Sequence, residues 1–369
     1  MRNHEITRSQ LLLNEDGELR EPGWSRRMVQ KYRRSMIKAP SWRIKEWDYY
    51  LVVNKDFAAA FTISDDGYIG LQSVSLLLFG DTSAIADKSE NKAPSLGVGL
   101  PWEHTETVLN PFPMGSLRLP DSSSAGTTRY ADKRLQMTFN VLHAESVGPR
   151  AGQNGKRTID CRFENFCDGK PFEAHIVLDQ PDMDSMVIAT PWPQKHAFYY
   201  NQKINCMRAS GYVEFDGRKY EFDPRTDFGT LDWGRGVWTY DNTWFWGSGN
   251  ADVDGHAFGW NIGYGFGDTS AASENILFWD GAAHKLDDVT FNIPEEGYMG
   301  KWTFTSSDGR FEMEFEPMLD RAANLDFKVI VSDQHQVFGK MSGTAILDDG
   351  TKVEIRDVMC FAEKVHNRY

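Results

Sequence analysis

The sequence predicts an all-β protein of antiparallel hairpins, arranged as two β-rich halves behind a short basic segment. Three observations predict it. Asp-Gly and Asn-Gly dipeptides punctuate the 369 residues at 66–67, 154–155, 168–169, 216–217, 254–255, 280–281, 308–309 and 349–350. Such pairs tolerate the positive φ angles that a type I′ hairpin turn demands at both central positions. The segments between them, such as 68–79, 174–178, 211–222, 311–315 and 352–361, carry β-branched and aromatic residues. Long helical periodicity is scarce after residue 45.

Taken in order, residues 1–45 form the basic N-terminal segment. Within it, Met28, Val29, Tyr32 and Met36 recur among Arg26, Arg27, Lys31, Arg33, Arg34 and Lys38. That spacing reads as a short amphipathic helix. It packs on the protein's own β structure or makes weak contact with a membrane surface. Residues 46–195 form the first β domain, interrupted by an irregular Ser-, Pro- and Gly-rich loop over 81–128. Pro191-Trp192-Pro193 reads as the linker, and 196–369 form the second β domain.

The second half opens with a polar strand in which Tyr199, Asn201, Lys203 and Asn205 share one face. A glycine-braced, charged turn, Asp232-Trp233-Gly234-Arg235-Gly236, then feeds a strand that puts Trp238, Tyr240, Trp244 and Trp246 on one side. Such a row suits a dense core or the wall of a pocket for a bulky apolar ligand. If Asp254-Gly255 closes a two-residue turn, Val253 faces His256 and the register follows. Phe245 then pairs with Tyr264, Trp246 with Gly263, Trp244 with Gly265, Ser248 with Asn261 and Gly249 with Trp260. Indoles would lie over glycines of the neighbouring strand.

Composition narrows the function. A net charge of -13 argues against a nucleic-acid partner, whose footprint would be basic. No apolar run reaches the ~20 residues that span a bilayer. The polar stretch 1–14 does not read as a secretory leader. Cys161, Cys167, Cys206 and Cys360 lack C-x-x-C spacing and read as reduced thiols of a cytoplasmic protein. Neither a metal motif, a phosphate loop nor a Gly-x-Ser-x-Gly elbow is present, so we expect no metal and no cofactor. The glycines at 263, 265 and 267 lie in an alternating β pattern with no helix after them, which removes a nucleotide reading.

The run Asp232–Trp238, Gly263-Tyr264-Gly265-Phe266-Gly267-Asp268, Asp280-Gly281 with His284-Lys285, and the closing 361–369 stretch resemble the bacterial domain-of-unknown-function family 2804. Residues 198–205 and Gly23-Trp24-Ser25-Arg26 are similar to that family's pattern as well. The family carries no agreed activity. More distantly, the architecture resembles the lipocalin-like two-barrel (calycin) proteins, which include carotenoid hydratases, AttH-like proteins and lipocalin-type cyclases. That resemblance implies two closed or nearly closed barrels, an apolar cavity, and proton-driven chemistry on alkenes with an acidic side chain as donor. No residue role is carried over from it.

Asp232 beside aromatic walls is the candidate proton donor, with Arg235 as its orienting partner; an ion pair shaping the turn is the competing reading. Asp268 stands at a strand end, either at a barrel mouth or as a turn former. His104, flanked by Glu103 and Glu106, is an acid–base candidate or a solvated loop residue. Trp238, Tyr240, Trp244, Trp246, Asn261, Tyr199, Asn201, Lys203 and Asn205 are the candidate ligand contacts. The expected function is cofactor-independent hydration, isomerisation or cyclisation of a hydrophobic small molecule in a barrel cavity. The alternatives are a noncatalytic lipid or isoprenoid carrier and a scaffold with filled barrels.

Overall fold

The computed structural model describes residues 3–79, 101–143, 155–326 and 331–368. Asn154 of the expected Asn154-Gly155 turn and the 81–100 part of the long loop lie outside the described residues. The rest is all-β, and its only helical turns are 3-10 turns at Arg34–Met36 and Ser41–Arg43. Four of the hairpin signals are realised in full: Asp168, Asp216, Asp254 and Asp280 and the glycines after them all have positive φ, whereas at Asp66-Gly67, Asp308-Gly309 and Asp349-Gly350 only the glycine does. The four close the pairs Cys167 with Lys170, Phe215 with Arg218, Val253 with His256, and Trp279 with Ala282.

Two curled antiparallel sheets result. The path of the first runs 102–111, 69–78, 57–65, 44–53, 228–237, 198–215, 170–180, 155–167, 135–143 and 126–131. The strands 186–191 and 218–222 also pair with 198–215, and 23–25 pairs with 186–191. The second sheet runs 282–285, 276–279, 256–264, 241–253, 352–368, 331–346, 311–326, 302–306 and 289–292. A division near residue 195 therefore cuts the first sheet, because 198–215 and 228–237 are central strands of it. Pro191-Trp192-Pro193 ends one strand and turns into the next, with the Ala197 carbonyl accepting the Trp192 N–H at 3.0 Å. The chain crosses between sheets after Val237 and before Asp241.

Three apolar clusters follow from the alternation of side chains. One, with Tyr50, Val52, Leu231, Trp233 and Val237, fills the concave side of the first sheet. Another, with Phe258, Trp260, Ile262 and Trp302, fills the second. The third lies between the sheets and joins Trp24, Tyr49, Tyr199 and Phe228 to Trp246, Phe266, Phe338 and Phe361. Residues 232–236 are no turn: every residue of Phe228–Val237 is buried, and the strand serves two cores. Gly234 lets this strand lie against Trp47, since a Cβ there would fall inside the indole. Gly249 does the same for Trp260. The space beside Gly263 is instead occupied by the Phe245 carbonyl and, at 3.5 Å, the Glu274 carboxyl.

The N-terminal segment is an extended strap rather than a helix. Trp24 pairs with Ile188, and the Arg26 carbonyl accepts the Ser185 N–H at 2.8 Å. Met28, Met36 and Ile37 pack on the first core and Tyr32 is buried in it. Apart from the exposed Trp42, its large apolar side chains face the protein's own β structure, which disfavours the membrane-surface reading. The 102–111 part of the supposed irregular zone is a regular strand, paired with 69–78.

Candidate functional site

A cavity of about 240 Å³ opens between the two sheets. Its walls come from both: Trp47, Tyr49, Tyr199, Lys203 and Asp232 from the first, Trp244, Trp246, Arg321, Gln336 and Glu363 from the second. It lies outside the barrel interiors. In the first, the void near Tyr50, Arg157 and Trp233 is only about 10 Å³.

The aromatic wall is continuous. Trp238 meets Trp47 and Trp244 edge-on, each at 5.4 Å between centroids, and Tyr199 stacks on Phe266 at 4.9 Å. Trp246 meets Tyr49 at 6.0 Å. Lys203 Nζ sits 3.8 Å from the Trp246 ring centroid and 2.8 Å from Asp232 Oδ1. Asn201 donates to the same oxygen at 2.6 Å. An ammonium held over an indole and against a carboxylate is doubly satisfied, which is what its near-complete burial requires.

Glu363 lies across from Asp232 in the second sheet, in register with both Trp246 and Gln336. Its carboxyl accepts Trp244 Nε1–H at 3.0 Å and a Gln336 amide hydrogen at 2.8 Å. Burial nevertheless pushes its pKa up, because no cation lies within ion-pair distance among the described residues. Glu274, fully buried behind Tyr199, is pushed up to about 7, chiefly by burial and against the pull of Lys203. At the opposite end, burial raises Asp66 to about 6 and lowers Lys45 to about 8, while Lys45 donates to the Asp66 carbonyl at 2.9 Å.

Of the residues singled out from sequence, Tyr199, Lys203, Asp232, Trp238, Trp244 and Trp246 line this cavity. Asn201 touches it through Asp232. Asn205, displaced by the irregularity between Ile204 and Met207, instead ties the sheets together, donating to Ser248 Oγ at 2.8 Å and the Trp260 carbonyl at 3.1 Å. Asn261 accepts the Trp246 indole hydrogen at 2.7 Å and fixes that ring from behind. Tyr240 is 55% exposed, because the chain leaves the first sheet at Val237 and the two-residue alternation stops there.

Arg235 does not orient Asp232. Three residues apart on a strand, the two point to opposite faces. Arg235 is buried in the first barrel, 3.0 Å from Asp48 and stacked on Trp233 at 4.1 Å. His104 lies on the strand Trp102–Pro111 beside Phe166, 2.8 Å from that residue's carbonyl and away from the cavity. Asp268 is a turn former whose Oδ1 accepts the Ser270 N–H at 2.9 Å, which lowers its pKa. Sequence reasoning missed Glu363, Glu274, Arg321, Trp47 and Tyr49. The available signal for Glu363 was a carboxyl on the same strand face as Phe361 and Val365. Among the described residues no three His, Cys, Asp or Glu side chains converge as a metal site would require.

No curated protein matches the chain. Among solved structures it is similar to kievitone hydratase from Nectria haematococca, at 10% identity and a TM-score of 0.46, covering 100% of this chain and 98% of that one. It is also similar to a putative AttH from Nitrosomonas europaea, at 12% identity and a TM-score of 0.44, covering 90% and 96% of the two chains. For CghA the values are 9% identity, a TM-score of 0.35, and coverage of 98% and 94%. The family model described as "Domain of unknown function (DUF2804)" matches residues 3–369, and the chain belongs to that family.

Proposed function

We propose that the cavity between the sheets takes up a small, largely apolar molecule and catalyses cofactor-independent proton transfer on it. Glu363 is the acid and Asp232 the base. The observation that carries this is the unequal pairing of two buried carboxyls facing one aromatic cavity: Asp232 is matched by the Lys203 ammonium, while among the described residues Glu363 has no cation within ion-pair distance. A carboxyl held against an ammonium and one held only by neutral donors can serve as base and acid of one site.

In such a reaction Glu363 gives its proton to one carbon of a π bond, and the neighbouring carbon becomes cationic. The indole face of Trp244 steadies that charge. Asp232 then takes a proton from an attacking water, giving hydration, or from an adjacent carbon, giving isomerisation. The Lys203 contact holds Asp232 in place for either step. The volume of about 240 Å³ falls just below the roughly 300–1,000 Å³ of drug-sized pockets, which disfavours a carrier of long lipids or polyenes.

The test is native mass spectrometry on protein purified from its own organism, followed by turnover of whatever molecule co-purifies. Glu363→Gln should keep the ligand and lose roughly 10²- to 10⁴-fold in rate. Because the acid form of Glu363 does the work, the wild-type rate should fall as pH rises through its elevated pKa. A Glu363→Gln protein as active as wild type would sink the assignment.

A further inference from the structure

Arg321, on the strand Phe311–Asp326, lines the same cavity, half-buried. It spends one N–H on Ser75 Oγ of the first sheet, at 3.0 Å. A guanidinium has five donors in a planar fork. Among the described residues no carboxylate lies within ion-pair distance of this one. The other two cations of the cavity are differently placed: Lys203 is matched by Asp232 and Lys45 donates to the Asp66 carbonyl. Glu363, the carboxyl whose charge Arg321 does feel, already accepts from Trp244 and Gln336. In a chain where acidic residues outnumber basic ones 53 to 40, an unmatched arginine at the edge of an aromatic cavity has left its natural partner open.

We propose that the molecule this cavity binds carries a carboxylate, and that Arg321 is its receptor. The proposal deepens the proposed function and rests on the cavity being a small-molecule site. The planar fork of arginine matches a carboxylate through two parallel N–H bonds. Gln334 and Asn367 also line the cavity, but both are already tied to Ser332, which leaves Arg321 as the charged receptor. With the headgroup there, the apolar body of the ligand rests against Tyr49, Trp244 and Trp246, and Lys203 and Asp232 lie deeper. The ligand class is a small aromatic or alicyclic carboxylic acid. Its negative charge removes the cost of leaving a half-buried guanidinium unpaired.

The experiment is a calorimetric binding panel of such acids, each measured beside its own primary amide, on wild type, Arg321→Gln and Arg321→Lys. The acids should bind wild type roughly tenfold or more tightly than their amides, as a charge-assisted bond to a half-buried group predicts. Arg321→Gln should lose that preference while still binding the amides, and Arg321→Lys should retain part of it. Thermal unfolding of each variant reports separately on the lost Ser75 contact. Equal affinity of acids and amides for wild type, or a preference that survives in Arg321→Gln, overturns the carboxylate assignment and leaves the cavity standing. If neither acids nor amides bind at all, the small-molecule reading falls and takes this one with it.

Discussion

Replacing Glu274 by glutamine should stabilise the protein at neutral and alkaline pH and leave it unchanged in acid. Glu274 is fully buried, and neither of its oxygens accepts a hydrogen bond of good geometry. The Tyr199 hydroxyl is near enough to favour the ionised form slightly, but it does not align into a made bond. Burial therefore dominates, Asp232 adds repulsion, and Lys203 and Lys285 offset only part, so the carboxyl is pushed from 4.5 to about 7. Because the folded state holds the proton more tightly, the side chain's favourable contribution is full below pH 4.5 and is lost as pH rises toward 7. At about 1.4 kcal/mol per pH unit, the gap amounts to about 3 kcal/mol at pH above 7. Glutamine, nearly the same shape, carries no such charge. Thermal unfolding of both proteins from about pH 4 to about pH 8 should give coincident melting temperatures at the acid end, diverging by a few degrees at the other. Parallel curves across the whole range, or a glutamine variant weaker at alkaline pH, would refute the view that this carboxyl is buried without a partner.

Two further outcomes can be read by urea denaturation. Lys203→Met leaves Asp232 buried without its cation and should cost about 3–5 kcal/mol, whereas Lys203→Met with Asp232→Asn should cost less than the single change; a strictly additive pair would argue that the two do not interact. Gly234→Ala would drive a methyl group into the Trp47 indole and should cost about 1–3 kcal/mol, with a changed tryptophan fluorescence as Trp47 leaves its contact with Trp238. An unaltered spectrum and stability would mean that this strand does not need glycine for close approach.

What the sequence made legible was local. The Asp254-Gly255 turn fixed the register of its hairpin, and Phe245 does face Tyr264, Trp246 Gly263, Ser248 Asn261 and Gly249 Trp260. Two residues with positive φ can only close these strands one way, and alternation then carries the pairing outward. The strand Phe228–Val237 was misread for a physical reason. Its glycines and charges look like a turn, yet Gly234 is there because Trp47 presses on its face, Gly236 because the Phe198 carbonyl lies against it, and the charges because each face meets a polar partner. Read as a strand, the three-residue spacing would have parted Asp232 from Arg235 at once. Tyr240 failed for the opposite reason: alternation was extended across a crossover where no ladder exists.

The cavity itself could not be read locally, because half of its chemistry belongs to each sheet. Asp232 and Lys203 come from the first, Glu363 and Arg321 from the second, and no segment of sequence contains both. What brings them together is the docking of the sheets. Trp24 is buried in the layer between them, and Arg26 ties that strap to Asp184 at 3.0 Å and to the Ala283 carbonyl at 2.8 Å. Asn205 adds its bonds to Ser248 and the Trp260 carbonyl from the far side. These contacts do nothing to a bound molecule, yet they set the separation of the two carboxyls on which the proposed acid–base division depends. Loosening them should therefore weaken the proposed chemistry before it unfolds either sheet, since each sheet keeps its own apolar core while the site has only the seam.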